Sequence, residues 1–159
     1  TVSGTPTTSR VAGLFGSYAQ RIEYTSSSDS NKAINLVSSM SAVGSVTAGG
    51  MCSGGVWMNV VHSGVTSIDC LIYFYNAAGT FISNPNRRAY SPLPTGWSPY
   101  VVGAVAPENA SRALFFITVN GIDTGDSVTL DVDGVYLSAD ANFDHYGKYP
   151  VIGKGAVLL

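Results

Sequence analysis

Short segments of alternating apolar and polar residues, separated by turn-forming residues, dominate this chain. In residues 68–75, for example, Ile68, Cys70, Ile72 and Phe74 fall on one face of a strand. No segment has the periodicity of an amphipathic helix of four turns. The pattern predicts roughly eight or nine strands at intervals of ~8–15 residues. The clearest are residues 18–25, 33–37, 56–62, 68–75, 80–83, 100–105, 112–119 and 127–137.

These strands predict an all-β fold: a β-sandwich or jelly roll with two antiparallel sheets. Residues 112–119 are apolar on both faces and are therefore expected in a central strand. Residues 1–9 are mainly Thr, Ser, Gly and Pro, which predicts a linker or N-terminal arm. The sandwich is expected over residues 10–140, followed by a C-terminal extension over residues 141–159.

The segments 56–62 and 68–75 flank a short Ser-Gly-Val-Thr turn and are predicted to pair as a hairpin. That register places Cys70 opposite Asn59, with Cys52 seven residues further along. At ~3.3 Å per residue the gap is ~23 Å, too far for a disulfide. Cys70 is therefore predicted to be a buried free thiol. A disulfide stays open as an alternative, because a sandwich can bring a displaced segment back.

Composition further narrows the functions that this chain can have. The 159 residues are 45% apolar and 11% charged, with a formal net charge of −2. A chain this close to neutral has no basic field for a polyanion, which argues against nucleic-acid binding. No apolar run reaches the ~18–20 residues of a membrane span. The sequence begins at Thr1 with neither Met nor a leader, which indicates a processed chain or a piece of a longer one.

The second half carries an ordered series of signals between its strands. It resembles the jelly-roll carbohydrate-binding modules attached to xylanases and cellulases, and similar domains of phage tail and virion proteins. The resemblance covers residues 56–137, and its signals depart from the family pattern at Asn76, where many members have Asp. The signals are Asn76-Ala77-Ala78-Gly79, Thr95-Gly96-Trp97, Ala106-Pro107-Glu108-Asn109-Ala110 and Leu130-Asp131-Val132-Asp133-Gly134-Val135-Tyr136-Leu137.

The resemblance implies a jelly-roll β-sandwich of the galactose-binding-domain-like kind. It also implies a non-catalytic module that binds an oligosaccharide or a cell-wall polysaccharide. A phage context is suggested by Phe143-Asp144, a partial match to the aromatic extension that phage tail modules append. The expected location is a virion or the extracellular space, with other virion subunits or further copies of the chain as partners. The resemblance also suggests one structural Ca²⁺ held by Glu23 and Asp133, although Gly134 replaces a common second acid. No other cofactor is expected.

Sugar binding needs flat aromatic faces together with amide, carboxylate and guanidinium groups. On the strand 68–75, one face carries Asp69, Tyr73 and Tyr75; in the alternative, a second sheet covers this face and the tyrosines are core residues. The loop 84–100 adds Arg87, Arg88 and Tyr90, with a solvated basic pair as the alternative. Trp57 and Trp97 are both predicted to be core residues. The candidate ligand residues are Asp69, Tyr73, Tyr75, Arg87, Arg88 and Tyr90.

The supply of catalytic groups is small, so an enzyme is not predicted. There are two histidines, no metal-spaced partner for either and no G-x-S-x-G elbow. A hydrolase would need two facing carboxylates ~5–10 Å apart in a cleft. The predicted function is host-surface glycan attachment by a phage tail or virion module. The alternative is a structural assembly or decoration domain of a virion without a glycan ligand.

Overall fold

A computed structural model describes residues 5–37 and 46–139 of the chain. These two ranges form ten β-strands. Among the described residues, no helix is long and apolar enough to cross a membrane. The strands are β1 (Thr7–Val11), β2 (Ala19–Thr25), β3 (Lys32–Val37), β4 (Met51–His62), β5 (Ser67–Tyr75), β6 (Phe81–Ser83), β7 (Arg87–Tyr90), β8 (Trp97–Val105), β9 (Arg112–Ile122) and β10 (Ser127–Ser138).

The strands form two antiparallel sheets. The first sheet has the order β1-β2-β10-β4-β8, and the second has the order β3-β9-β5-β6, with β7 also paired to β5. Strands that follow one another in sequence repeatedly alternate between the sheets, as in a jelly roll. The predicted β-sandwich with two antiparallel sheets is therefore confirmed.

The core lies between the inner faces of the two sheets. Met58 and Val56 of β4 belong to the first sheet, and Ile72 and Phe74 of β5 belong to the second; all four are fully buried in one apolar cluster. Burying one such side chain stabilises the folded state by about 1.5–3 kcal/mol relative to leaving it exposed to water. Because side chains alternate along a strand, this burial also decides which residues face outward.

The predicted hairpin of residues 56–62 and 68–75 is wrong, because β4 and β5 belong to different sheets. β4 pairs with β10 and β8, whereas β5 pairs with β9, β6 and β7. The segment between β4 and β5 crosses from the first sheet to the second, and a backbone hydrogen bond ties each of its ends to the nearer sheet. The Ser63 amide donates to the carbonyl of Ser127, and the Thr66 amide donates to that of Asn120.

Both cysteines are buried and free, so the prediction for Cys70 is confirmed, although not by the predicted geometry. Cys52 pairs with Ala104 in the first sheet, while Cys70 pairs with Ile117 in the second. Both face the core. Burial raises the pKa of the Cys70 thiol to about 12, so the group is uncharged at neutral pH.

Two strands lie where the sequence predicted an arm or a loop. Residues 7–9, assigned to the N-terminal arm, begin β1, which pairs with β2 through the register Arg10↔Gln20. β7 lies inside the predicted loop 84–100. Both strands are mostly exposed, so they lack the apolar alternation that identifies a strand in sequence. The predicted extension, residues 141–159, lies outside the described residues.

A charge pair ties β2 to β10 on the outer face of the first sheet. Arg21 and Asp131 are directly opposite, with Nε–Oδ1 and Nη2–Oδ2 distances of 2.6 and 2.9 Å. Asn59 of β4 adds a 3.3 Å hydrogen bond to Oδ2. The hydrogen bond from Arg21 lowers the pKa of the Asp131 carboxyl, and the weaker hydrogen bond from Asn59 acts in the same direction. Burial opposes both by raising this pKa, but the net shift is downward.

Asp131→Asn preserves the side-chain shape but removes this charge. A lowered pKa means that the ionised carboxylate stabilises the fold above about pH 4, and that this contribution is lost as the pH falls through the lowered value. We expect the variant to unfold several degrees below the wild type at neutral pH, with the difference closing in strong acid. Thermal unfolding across a pH series measures this. Glu23→Gln, on neighbouring β2, is the control, and a pH-independent difference would contradict the assignment.

Candidate functional site

The outer face of the second sheet points away from the first sheet. Every second side chain of each strand in this sheet lies on that face. Asp69, Tyr73 and Tyr75 of β5 lie on this face because their neighbours Cys70, Ile72 and Phe74 fill the core. Both tyrosines are half-buried rather than core residues. The residues that share this face and matter for the site are Asp69, Leu71, Tyr73, Tyr75, Phe81, Arg87, Arg112, Phe116, Thr118 and Asn120.

Four rings on this face form a cluster that we call the aromatic platform: Tyr73, Tyr75, Phe81 and Phe116. The Tyr73 and Phe116 rings are parallel within 1°, and their centroids lie 4.8 Å apart. Phe81 lies 5.4 Å from Tyr73 and 5.8 Å from Tyr75, also between centroids. Phe81 remains 49% exposed. The platform therefore presents aromatic surface to solvent while its rings support one another.

A buried carboxylate adjoins the platform along β5. Asp69 is only 6% exposed; its Oδ2 forms an ion pair with Arg87 Nη2 at 2.9 Å and accepts a hydrogen bond from Asn120 Nδ2 at 2.8 Å. Its Oδ1 is buried and has no hydrogen-bond partner among the described residues. The Arg87 side chain is 61% exposed. Asp69 thus holds Arg87 from beneath, while much of the guanidinium stays open to solvent.

Four of the six predicted ligand residues therefore share one face, but Arg88 and Tyr90 do not. Both have the opposite parity on β7. The Tyr90 hydroxyl donates to the Val101 carbonyl at 3.0 Å and accepts from the Val101 amide at 2.7 Å. Val101 belongs to β8, an edge strand of the first sheet. Tyr90 therefore caps that edge, and Arg88 lies over the Tyr90 ring at 5.1 Å.

The predicted calcium ligands do not come together. Asp133 Oδ2 accepts the Leu14 and Phe15 amides at 2.8 and 2.9 Å, and Oδ1 accepts the Gly134 amide at 2.7 Å. Glu23 pairs with Thr129, which lies four positions from Asp133 along β10. The backbone positions of Glu23 and Asp133 are therefore separated by ~13 Å along the strands. The described residues contain no cluster of three metal-ligating acidic, His or Cys side chains. Asp133 anchors a loop, and the pair does not fit a calcium ion.

Both tryptophans lie on the outer face of the first sheet, so their prediction as core residues is wrong. Trp97 pairs with Asn59, and Trp57 packs edge-on against Phe15 with centroids 5.4 Å apart. In the predicted hairpin, Trp57 lies two residues from Asn59 and therefore shares the face of Cys70, but that hairpin does not form. Sequence reasoning also missed Phe81, Arg112 and Phe116. A usable signal was the strand 112–119, because an apolar residue on each of its faces requires Phe115 or Phe116 to point outward.

No family model matches the sequence, and no curated protein is similar to it. Solved structures do share its fold. The enzymatically active domain of tailspike protein 4 from bacteriophage CBA120 aligns with a TM-score of 0.54 and 16% identity, over 83% of this chain and 18% of that one. A carbohydrate-binding module of the β-sandwich superfamily with promiscuous specificity gives 0.54 and 14%, over 81% and 52% of the two chains.

A third similar structure contains the CBM22-1 and GH10 modules of Clostridium thermocellum xylanase 10B, complexed with xylohexaose. It gives a TM-score of 0.50 and 14% identity, over 84% of this chain and 24% of that one. This chain thus spans about half or less of the length of these three structures. At these identities the similarity establishes the fold: a jelly-roll β-sandwich like that of carbohydrate-binding modules.

Tyr90→Phe tests the edge-capping role of the Tyr90 hydroxyl. The change leaves the Val101 amide and carbonyl without their partner, so we expect a loss of about 1–3 kcal/mol in the free energy of unfolding. Urea denaturation measures it. Tyr75→Phe removes a hydroxyl from another half-buried tyrosine and is the matched control. Equal losses in the two variants would show that the Val101 bonds carry no particular weight.

Proposed function

We propose that this domain binds carbohydrate on the outer face of the second sheet. The observation that carries the proposal is the aromatic platform, which is partly exposed and adjoins the ion pair between buried Asp69 and exposed Arg87. Such a surface combines apolar ring faces with fixed hydrogen-bond donors. That combination suits a sugar, whose ring presents C–H groups on its faces and hydroxyls around its rim.

The arrangement also limits the entropy lost on binding. Tyr73 and Phe116 support each other by stacking, and Arg87 is held by the buried Asp69 carboxylate. Groups that are ordered before a ligand arrives lose less freedom when it binds. Asn120 is likewise fixed, because its amide donates to both Ser67 and Asp69. The site is therefore largely preformed on strands rather than assembled from loops.

The wider context of this binding also belongs to the proposal. The similar carbohydrate-binding modules support a binding role without catalysis, and the phage tailspike supports a module of a phage tail or virion protein. We infer attachment to a host-surface glycan, with the domain on a virion or outside the cell. Other virion subunits, or copies of this chain, are the further partners.

The structural assembly role is a second candidate, favoured by exposed apolar side chains on the first sheet and its adjoining loop. Val61 is 63% exposed, and Leu14 and Phe15 are 39% and 38% exposed. Such residues contact neighbouring subunits in many assemblies. Mass measurement in solution separates the roles: a stable oligomer with no affinity for any glycan supports assembly.

A glycan array followed by calorimetric titration tests the binding proposal. For a glycan that binds, Tyr73→Ala is expected to weaken the affinity of the domain at least tenfold, about 1.4 kcal/mol, because the sugar loses an aromatic ring to stack on. Trp57→Ala is the matched control, since it removes a half-buried aromatic ring from the outer face of the other sheet. Thermal unfolding of both variants checks that each remains folded at the titration temperature.

Two results would contradict the proposed site. One is the absence of binding to every glycan on the array. The other is a reversed pattern, in which Trp57→Ala abolishes binding and Tyr73→Ala preserves it; the ligand would then lie on the first sheet.

A further inference from the structure

Acidic side chains are unevenly distributed over the sandwich. The chain has ten acidic residues, yet among the described residues Asp69 is the only carboxylate on the outer face of the second sheet. Asp140 and Asp144 lie outside the described residues, and the other seven occupy the first sheet or the connecting loops. These are Glu23, Asp131 and Asp133 on the first sheet, and Asp29, Glu108, Asp123 and Asp126 in connections.

Two guanidinium groups share that face with the single carboxylate. Arg87 pairs with Asp69 and remains largely exposed. Arg112 lies directly opposite Tyr75, is exposed, and makes no ion pair within residues 5–37 and 46–139. The face therefore has a net positive charge, although the whole chain is negative.

The two arginines lie on opposite sides of the aromatic platform. Arg87 is opposite Leu71 on β7, whereas Arg112 is opposite Tyr75 on β9, and β7 and β9 flank β5 on its two sides. Tyr73 lies midway between Leu71 and Tyr75 on β5, two residues or ~7 Å from each. A chain of sugars stacked over Tyr73 can therefore reach a guanidinium at both ends.

We propose that this site selects an acidic polysaccharide, whose sugar carboxylates pair with Arg87 and Arg112 while the rings stack on the platform. The inference rests on the proposed function and adds the class of its ligand. A guanidinium presents paired N–H donors that match a carboxylate in geometry as well as charge. Asp69 does not repel such a ligand strongly, because it is buried and its Oδ2 already pairs with Arg87.

The test compares acidic glycans with uncharged forms of the same backbone. Polygalacturonate, alginate and hyaluronan fragments are titrated beside their carboxyl-esterified counterparts, at low and at moderate salt. We expect at least one acidic glycan to bind tenfold or more tightly than its ester. That affinity should fall at least threefold as salt screens the charges.

Variants locate the charge effect. Arg87→Gln and Arg112→Gln are each expected to weaken binding of the acidic glycan at least fivefold while leaving binding of the ester unchanged. Arg10→Gln is the matched control, because Arg10 is an exposed cation on β1 of the first sheet. Tyr73→Ala should weaken binding of the acidic and esterified forms alike, since both stack on the platform.

The outcomes separate this inference from the proposed function. Equal affinity for acid and ester, with both arginine variants unchanged and Tyr73→Ala impaired, would overturn the acidic ligand and keep the glycan site. Loss of affinity in Arg10→Gln equal to that in the other arginine variants would show a nonspecific charge effect and also overturn it. No binding to any acidic or uncharged glycan would overturn both.

Discussion

The burial of one side of β5 is the constraint on which the rest of the structure depends. Ile68, Cys70, Ile72 and Phe74 are completely buried against the first sheet. A strand reverses every side chain when its register slips by one residue, so this burial leaves a single orientation. The outward direction of Asp69 and Tyr73 follows from it. The core therefore sets the direction of the β5 side chains that belong to the candidate site.

The site also shows how a buried carboxylate can be kept on the outer face of a sheet. Asp69 is nearly inaccessible, and an unpaired buried carboxylate would be costly. Arg87 and Asn120 offset that cost from two neighbouring strands, and in doing so they hold β7 and β9 in register beside β5. The same contacts thus contribute to sheet pairing and to the chemistry of the exposed face.

The sequence was sufficient for what depends on alternation along one strand, and insufficient for what depends on which strands pair. The face shared by Asp69, Tyr73 and Tyr75 was predicted from parity alone. Phe116 and Arg112 lie beside them only through the β5–β9 register, which joins residues more than 35 positions apart. The hairpin error had the same origin: a short connection can join two sheets as readily as two neighbouring strands. β1 and β7 lack an apolar pattern because both strands are mostly exposed.

The capped edge at β8 affects how neighbouring copies of the domain can associate. An open strand edge is a template for a strand from another molecule. At β8, the Tyr90 hydroxyl occupies both backbone groups of Val101, Asn86 occupies the carbonyl of Gly103, and Pro99 has no amide to offer. Sheet growth across this border is blocked. Neighbouring copies displayed at high density can therefore remain separate there, each with its outer faces free.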